Sequence, residues 1–233
     1  MELLRLASID EVCSKAAAFL AEATAARRKA GAGLHWGLCG GRTVAEIFKR
    51  LADQASLDWT GVHLFMADER VVPRTSADWN GALVEEHLIG PLTDRGRLEE
   101  SQWHPFLADE ASPDGGAAAY TSRLAERGGR LDLLLLSVGE DGHVASLFPG
   151  HASLAETEKK YLAEVTSPKP PSRRISASPA LIRDAAGVVL LFTGEGKRGA
   201  LARFLEDGDD FTDCPSRLLR THPGLVVLTD LSI

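Results

Sequence analysis

Leu131-Asp132-Leu133-Leu134-Leu135-Leu136 is an apolar run broken only by one carboxylate near its start. A strand with one face in water alternates apolar and polar residues, whereas one covered on both faces reads as a continuous apolar run. The run predicts a central strand over 131–138 in a sheet buried on both sides. Such sheets are mostly parallel, and their crossover helices supply the cover. Gly139-Glu140-Asp141-Gly142-His143 comes next, so the chain leaves a buried strand into a glycine-rich turn with a carboxylate and an imidazole two residues apart. In open sheets of this class ligands sit beyond the carboxyl ends of the strands. Spacing alone leaves two readings open. One is an acid/base pair facing a ligand, and the other is a tight turn whose Asp caps backbone N–H groups and whose His is merely exposed.

The remaining periodicities fit such a sheet. Val12, Ala16, Phe19, Leu20 and Ala23 share one face of a first helix. Asp10 can cap it, Arg27-Arg28-Lys29 suits the negative end of its dipole, and Gly31 and Gly33 end it. Strands are expected over 34–38, 62–66, 161–165, 174–177, 187–192 and 225–228, and helices over 43–51, 78–88, 113–127 and 197–205. This is an α/β chain: a mainly parallel, Rossmann-like sheet with helices on both faces. The length of 233 residues fits a single domain over 1–233. Pro168, Pro170 and Pro171 make 167–174 a stiff surface connection, a candidate lip of the site.

The net charge of −7 argues against a nucleic-acid footprint but leaves room for a local anion site. No stretch is apolar enough to span a membrane, and Glu2, Arg5, Asp10, Glu11 and Lys15 interrupt any signal-peptide core. Cys13, Cys39 and Cys214 are odd in number and widely spaced, which suggests neither disulfides nor a metal cage and fits a reducing cytoplasm. No His/Cys/Asp grouping has metal-ligand spacing, and no G-x-S-x-G elbow is present.

Three further segments carry chemistry. Gly40-Gly41-Arg42-Thr43 joins a strand to a helix, and Thr43 and Glu46 have capping-box spacing. It is either an anion cradle at a helix start or a tight turn. Asp68-Glu69-Arg70 follows the strand over 62–66. Arg70 is either a fork donor for a carboxylate, phosphate or oxyanion, or a member of an internal ion-pair cluster. Gly194-Glu195-Gly196-Lys197-Arg198-Gly199 fits G-x-G-x-x-G in form. It comes late, is charged within the turn and lacks a placed ribose carboxylate, so dinucleotide binding is not expected. Lys197 is instead one charge for a single phosphate, or a solvated lysine. Arg173-Arg174 offers further donors or is an exposed pair. Of the other histidines, His35 and His63 read as packed strand residues. His87, His104 and His222 have no spaced partner, and His151 is a marginal candidate for the site.

Taken together, Leu38-Cys39-Gly40-Gly41-Arg42-Thr43, Asp68-Glu69-Arg70-Val71-Val72-Pro73, Asp141-Gly142-His143-Val144-Ala145-Ser146-Leu147-Phe148-Pro149-Gly150, Pro170-Pro171-Ser172-Arg173-Arg174-Ile175-Ser176 and Gly194-Glu195-Gly196-Lys197 occur in that order. The pattern resembles the 6-phosphogluconolactonases, a branch of the glucosamine-6-phosphate isomerase/6-phosphogluconolactonase superfamily, over residues 36–228. The resemblance implies a NagB/RpiA/CoA-transferase-like fold. It also implies hydrolysis of 6-phospho-D-glucono-1,5-lactone to 6-phosphogluconate in the oxidative pentose phosphate pathway, without metal or cofactor. The expected partner is the small phosphosugar lactone, and the chain is expected to act as a monomer or weak homo-oligomer in the cytoplasm. In this reading His143 is the general base and Asp141 orients it or shapes the turn. Arg70 meets the oxyanion or the carboxyl end. Gly40, Gly41, Arg42, Thr43, Arg174 and Lys197 hold the phosphate, and Asp68 contacts substrate. The family's first loop usually reads Ser-Gly-Gly-Ser-Thr-Pro, so Arg42 is a departure, as are Ser137 for glycine and Trp79 for serine. An isomerase/deaminase using Asp68 as base is the nearest rival. That branch tends to carry Asp-Glu-Tyr and Asn-Glu-Pro where this chain has Arg70 and Ser146-Leu147-Phe148-Pro149. A non-catalytic sugar-phosphate sensor is a rival of another class, and no added helix-turn-helix supports it.

Overall fold

The apolar run becomes a strand, Leu133–Ser137, whose four leucines are buried. The structure, a computed structural model, describes residues 1–29, 34–109, 111–208 and 210–232. Its elements are β1 (Glu2–Arg5), α1 (Ile9–Lys29), β2 (Leu34–Leu38), α2 (Arg42–Asp53), β3 (Val62–Met66), β4 (Asp68–Arg70), α3 (Asn80–Val84), α4 (Gly90–Asp94), β5 (Trp103–His104), α5 (Ala117–Ala125), β6 (Leu133–Ser137), β7 (Tyr161–Thr166), β8 (Arg173–Ala177), α6 (Pro179–Arg183), β9 (Gly187–Phe192), α7 (Arg198–Leu205) and β10 (Leu225–Thr229). Seven strands form one sheet in the order β1-β10-β9-β6-β2-β3-β5, with every pairing parallel. Successive strands run outward from β2 through β3 to β5, then from β6 through β9 to β10 on the other side. The order therefore reverses between β2 and β6, which pair side by side with Gly37 opposite Leu134. A crevice beyond that reversal is where an open α/β sheet binds its ligand.

β2, β9 and β10 are buried at every residue, as strands covered on both faces must be. α1 and α2 pack on each other, and α7 packs on β9. Each fully buried leucine or valine contributes about 1.5–3 kcal/mol relative to an exposed one, so this layer dominates the stability. Beside it, β4, β8 and β7 make a small antiparallel sheet. Ala67 joins the two sheets. Its N–H donates to Leu38 O at 2.6 Å, and its carbonyl accepts from Ala177 N–H at 2.7 Å. The carboxyl end of β3 thus bends directly into β4.

Several local expectations are corrected. Ser8, not Asp10, caps α1: its hydroxyl accepts from Glu11 N–H at 3.2 Å, and Glu11 reaches back to Ala7 N–H at 3.1 Å. The stop at Gly31 and Gly33 lies outside the described residues. α2 begins at Arg42 with Gly41 as its N-cap. Thr43 is therefore inside the helix and no capping box forms. Its hydroxyl instead pairs with the Thr193 hydroxyl at 3.0 Å, and Glu46 pairs with Lys49. The helix expected over 113–127 starts at Ala117, because the Asp114 carboxylate takes the Gly116 and Ala118 N–H groups at 3.0 and 2.7 Å. His104 does have a partner: its Nε2 lies 3.0 Å from His63 Nδ1, and His63 stands beside His35 in register.

Candidate active site

The loops after β2 and β6 open into a cavity of about 690 Å³ at the strand-order reversal. Cys39, Gly40 and Gly41 line it from the first loop, and Ser137, Gly139, Glu140, Asp141 and His143 from the second. Asp68, Arg70 and Asn80 form one wall. Arg174, Pro168, Lys169, Pro170, Lys197 and Arg203 complete the lining.

The turn after β6 is closed by its own backbone. Gly139 N–H donates to His143 O at 2.9 Å and Gly142 N–H to Gly139 O at 3.0 Å. Gly142 has φ +90°, and a Cβ there would lie 2.7 Å from Cys214 Sγ, so both conformation and space require glycine. Ser216 N–H donates to Gly142 O at 2.9 Å and braces the turn from behind. His143 Nδ1 lies 2.6 Å from Asp141 Oδ1, and the same oxygen accepts His143 N–H at 3.2 Å. The carboxylate thus both shapes the turn and orients the ring. Burial pushes the Asp141 carboxyl up, but hydrogen bonding and charge pairing with His143 outweigh this and hold it at about 2. A carboxylate on Nδ1 favours a proton there and leaves Nε2 as the acceptor. Phe148 packs against the ring at 4.8 Å between centroids.

On β4 the side chains alternate. Asp68 and Arg70 line the cavity, while Glu69, with no exposed surface, turns inward. Asp68 accepts from the Ser146 hydroxyl at 2.7 Å. The internal ion-pair reading of this segment is replaced by a backbone brace. Glu69 Oε1 accepts from Arg70 and Asn80 N–H at 2.7 and 2.8 Å, and Oε2 from Gly81 N–H at 2.8 Å. Arg70 Nη1 donates to Asp78 O at 2.7 Å. Arg174 is Arg70's cross-strand partner and is buried, with Nε on Pro171 O at 2.8 Å. Burial and then the Arg70 charge press its pKa down, against the pull of Asp68, Glu69 and Asp78. Burial likewise lowers Lys197, against the pull of Glu140 and Asp141. Burial pushes the Cys39 thiol up to about 12, with Asp68 adding to it, so this wall residue is no thiolate nucleophile.

The structure therefore brings His143, Asp141, Arg70, Asp68, Arg174, Lys197, Gly40 and Gly41 to one cavity. Arg42 is exposed and Thr43 is committed to Thr193, and neither lines the cavity. His151 is also outside it, its Nδ1 accepting from Ser153 N–H at 3.1 Å. Wall residues not singled out from sequence include Asn80, Lys169 and Arg203. Lys169 lies inside the proline segment, a signal that was present. Asn80 and Arg203 sit on helices remote in sequence, where no local pattern marks them.

The profile of the glucosamine-6-phosphate isomerases/6-phosphogluconolactonase family matches residues 7–228. The 6-phosphogluconolactonase of Borreliella burgdorferi is 35% identical over 195 residues, 84% of this chain and 83% of that protein. The 6-phosphogluconolactonase of Homo sapiens is 37% identical over 202 residues, 81% of this chain and 74% of that one. Among solved structures, 6-phosphogluconolactonase from Trypanosoma brucei superposes with a TM-score of 0.81 at 27% identity, covering 98% of this chain and 95% of that one. The matches run nearly end to end and take in every loop of the cavity, and the chain belongs to the glucosamine-6-phosphate isomerase/6-phosphogluconolactonase family.

Proposed function

We propose that the chain hydrolyses 6-phospho-D-glucono-1,5-lactone to 6-phosphogluconate, the second step of the oxidative pentose phosphate pathway, with His143 as general base. The observation that carries this is the 2.6 Å Asp141–His143 pair in a cavity walled by arginine and lysine. A lactone is an activated ester, so water needs only one proton acceptor to attack its carbonyl. His143 Nε2 takes that proton, and Asp141 steadies the imidazolium. The Arg70 N–H groups not used on Asp78 meet the negative charge of the tetrahedral intermediate. As the intermediate collapses, the ring C–O bond breaks and the imidazolium returns its proton to the leaving oxygen. General-base help of this kind is typically worth about 10² to 10⁴ in rate.

Lys197 and Arg174, with the unpaired first N–H groups of α2 behind Gly40 and Gly41, hold the 6-phosphate. Arg42, exposed at the start of α2, acts on it only through its charge. The deaminase alternative needs Asp68 as the base; the Ser146 hydroxyl ties down one of its oxygens, and the preference for the lactonase rests on the Asp141–His143 pair. The three cysteines are free and buried, which supports a reducing, cytoplasmic setting. Among the described residues no helix is long and apolar enough to cross a membrane.

The test is direct. Lactone is generated from glucose 6-phosphate with glucose-6-phosphate dehydrogenase, and its disappearance is followed with and without the protein. Loss no faster than spontaneous hydrolysis, or turnover of glucosamine 6-phosphate instead, refutes the reading.

A further inference from the structure

One buried polar side chain of the cavity wall has no role in this chemistry. Asn80 is 7% exposed and lines the cavity. Among the described residues its carboxamide has no hydrogen-bond partner. The amide atoms are not sealed off, since neither is among the inaccessible polar atoms that lack a partner, so what they face is the open cavity. The surroundings nevertheless fix the residue. Its N–H is held by Glu69 at 2.8 Å, through the oxygen that also holds Arg70 N–H at 2.7 Å. One buried carboxylate thus sets Asn80 and Arg70 side by side. On the facing loop, a Cβ on Gly40 would lie 2.0 Å from Asn80 Oδ1 and 2.9 Å from its Nδ2. Glycine at position 40 is what lets the amide lie there. The fold thus holds an amide with no protein partner against the Gly40 backbone, at the cavity wall.

We propose that Asn80 determines specificity, its carboxamide pairing with a hydroxyl on the sugar chain between the lactone carbonyl and the phosphate. This rests on the lactonase reading above. The argument for a hydroxyl lies in the amide's chemistry. Asn presents donors and an acceptor together, and a hydroxyl uses both. A phosphate at neutral pH chiefly accepts, would face Oδ1 unfavourably, and has Lys197 and Arg174 available in the same cavity. A site built to bond a hydroxyl also rejects analogues that lack it, because its own polar group is then left unpaired.

The experiment compares wild type, Asn80→Ala, the isosteric Asn80→Asp, Gly40→Ala and the Asn80→Ala/Gly40→Ala double variant. Binding of 6-phosphogluconate, its monodeoxy analogues and inorganic phosphate is measured by calorimetry, and lactone kinetics are run alongside. Wild type should bind one monodeoxy analogue about tenfold or more weaker than the parent. Asn80→Ala should bind the parent about tenfold weaker and no longer distinguish it from that analogue, with KM raised more than kcat is lowered. Asn80→Asp keeps the shape and an acceptor for the hydroxyl, so unlike Asn80→Ala it should still distinguish the parent from that analogue. Gly40→Ala should reproduce the loss without adding to Asn80→Ala, as expected of two residues sharing one contact. Unchanged parent binding in Asn80→Ala, equal loss for every analogue, or a matching loss for inorganic phosphate overturns the proposal. Wild type that binds 6-phosphogluconate without hydrolysing lactone refutes the lactonase reading alone, since the binding comparison still decides Asn80. Wild type that does not bind it overturns both.

Discussion

Replacing Asp141 by Asn removes one charge and little else, and it tests the proton logic of the site. In the wild type a single oxygen, Oδ1, serves both His143 Nδ1 at 2.6 Å and His143 N–H at 3.2 Å. The backbone bond favours keeping an amide oxygen on that side, so Asn should preserve the turn and the tautomer while losing the countercharge for the imidazolium. A hydrogen bond to a charged group contributes about 1.5–3 kcal/mol and a neutral one about 0.5–1.5. The difference, about 1–1.5 kcal/mol and discounted for the 29% and 40% exposure of the two side chains, is tenfold or somewhat less. If the amide flips, the proton moves to Nε2 and the whole base is lost, about 10² to 10⁴. The expected fall in kcat is therefore about five- to tenfold with the oxygen kept in place, and at most the loss seen in His143→Ala if the amide flips, with 6-phosphogluconate affinity nearly unchanged. His143→Ala should lose at least about 10², and the double variant should match His143→Ala because the two act as a unit. The assay is lactone disappearance with spontaneous hydrolysis subtracted. Wild-type turnover in either single variant, or a larger loss in Asp141→Asn than in His143→Ala, refutes the reasoning.

Asp141, held at about 2, stays charged near neutral pH, so its own protonation should leave no mark on kcat there. Its folded pKa is depressed, so its contribution to stability is present above the ordinary carboxyl value of about 3.9 and is lost as pH falls through about 2. An acid-side loss of kcat near neutral pH that Asp141→Asn abolishes would contradict this. Lys197→Ala and Arg174→Ala should each weaken 6-phosphogluconate binding about tenfold or more and barely change hydrolysis of unphosphorylated gluconolactone; equal losses on both would put the phosphate elsewhere. Because burial lowers Lys197, affinity should decline at alkaline pH earlier than an exposed lysine titrates, and Lys197→Met should abolish that decline. Leu134→Ala, at a fully buried site on β6, should cost about 2–5 kcal/mol in urea unfolding, and a cost under about 1 would deny that β6 is the centre of the core.

Much of the parallel sheet was legible because its strands are apolar throughout and bounded by glycine. β2, β3 and β9 fall on the expected residues, and β10 extends one residue further. β1, β4 and β5 were not legible. β1 is a four-residue edge strand with charged ends, and β5 has two residues. β4 reads Asp-Glu-Arg, a sequence with no strand propensity of its own, and it is a strand because β8 pairs with it. The helix expected over 78–88 starts at Asn80 and runs on to Asp94, although Gly90-Pro91 looks like a stop. Glu85–Ile89 widens into a π turn, with Gly90 N–H on Glu85 O. Pro91 then falls in the first turn of α4, where its missing N–H needs no partner.

The Asp141–His143 turn could be located from sequence because both of its partners lie within three residues and the strand before it is unmistakable. The wall opposite could not. Asp68, Arg70 and Asn80 reach the cavity only because Ala67 hands β3 over to a second sheet and Glu69 ties the next two segments together. Glu69 carried no distinguishing signal, since an acidic residue beside Arg70 reads as an ion pair. Its three backbone bonds appear only once the chain between Arg70 and Asn80 has folded back. The same holds for the cavity itself. Gly40 and His143 are over a hundred residues apart, and they share a crevice because β6 inserts beside β2 rather than continuing outward past β5. Local pattern supplies the loops, and strand order decides which of them face one another. Residues whose role depends on facing another loop, Asn80 above all, are therefore the ones that sequence reading passes over.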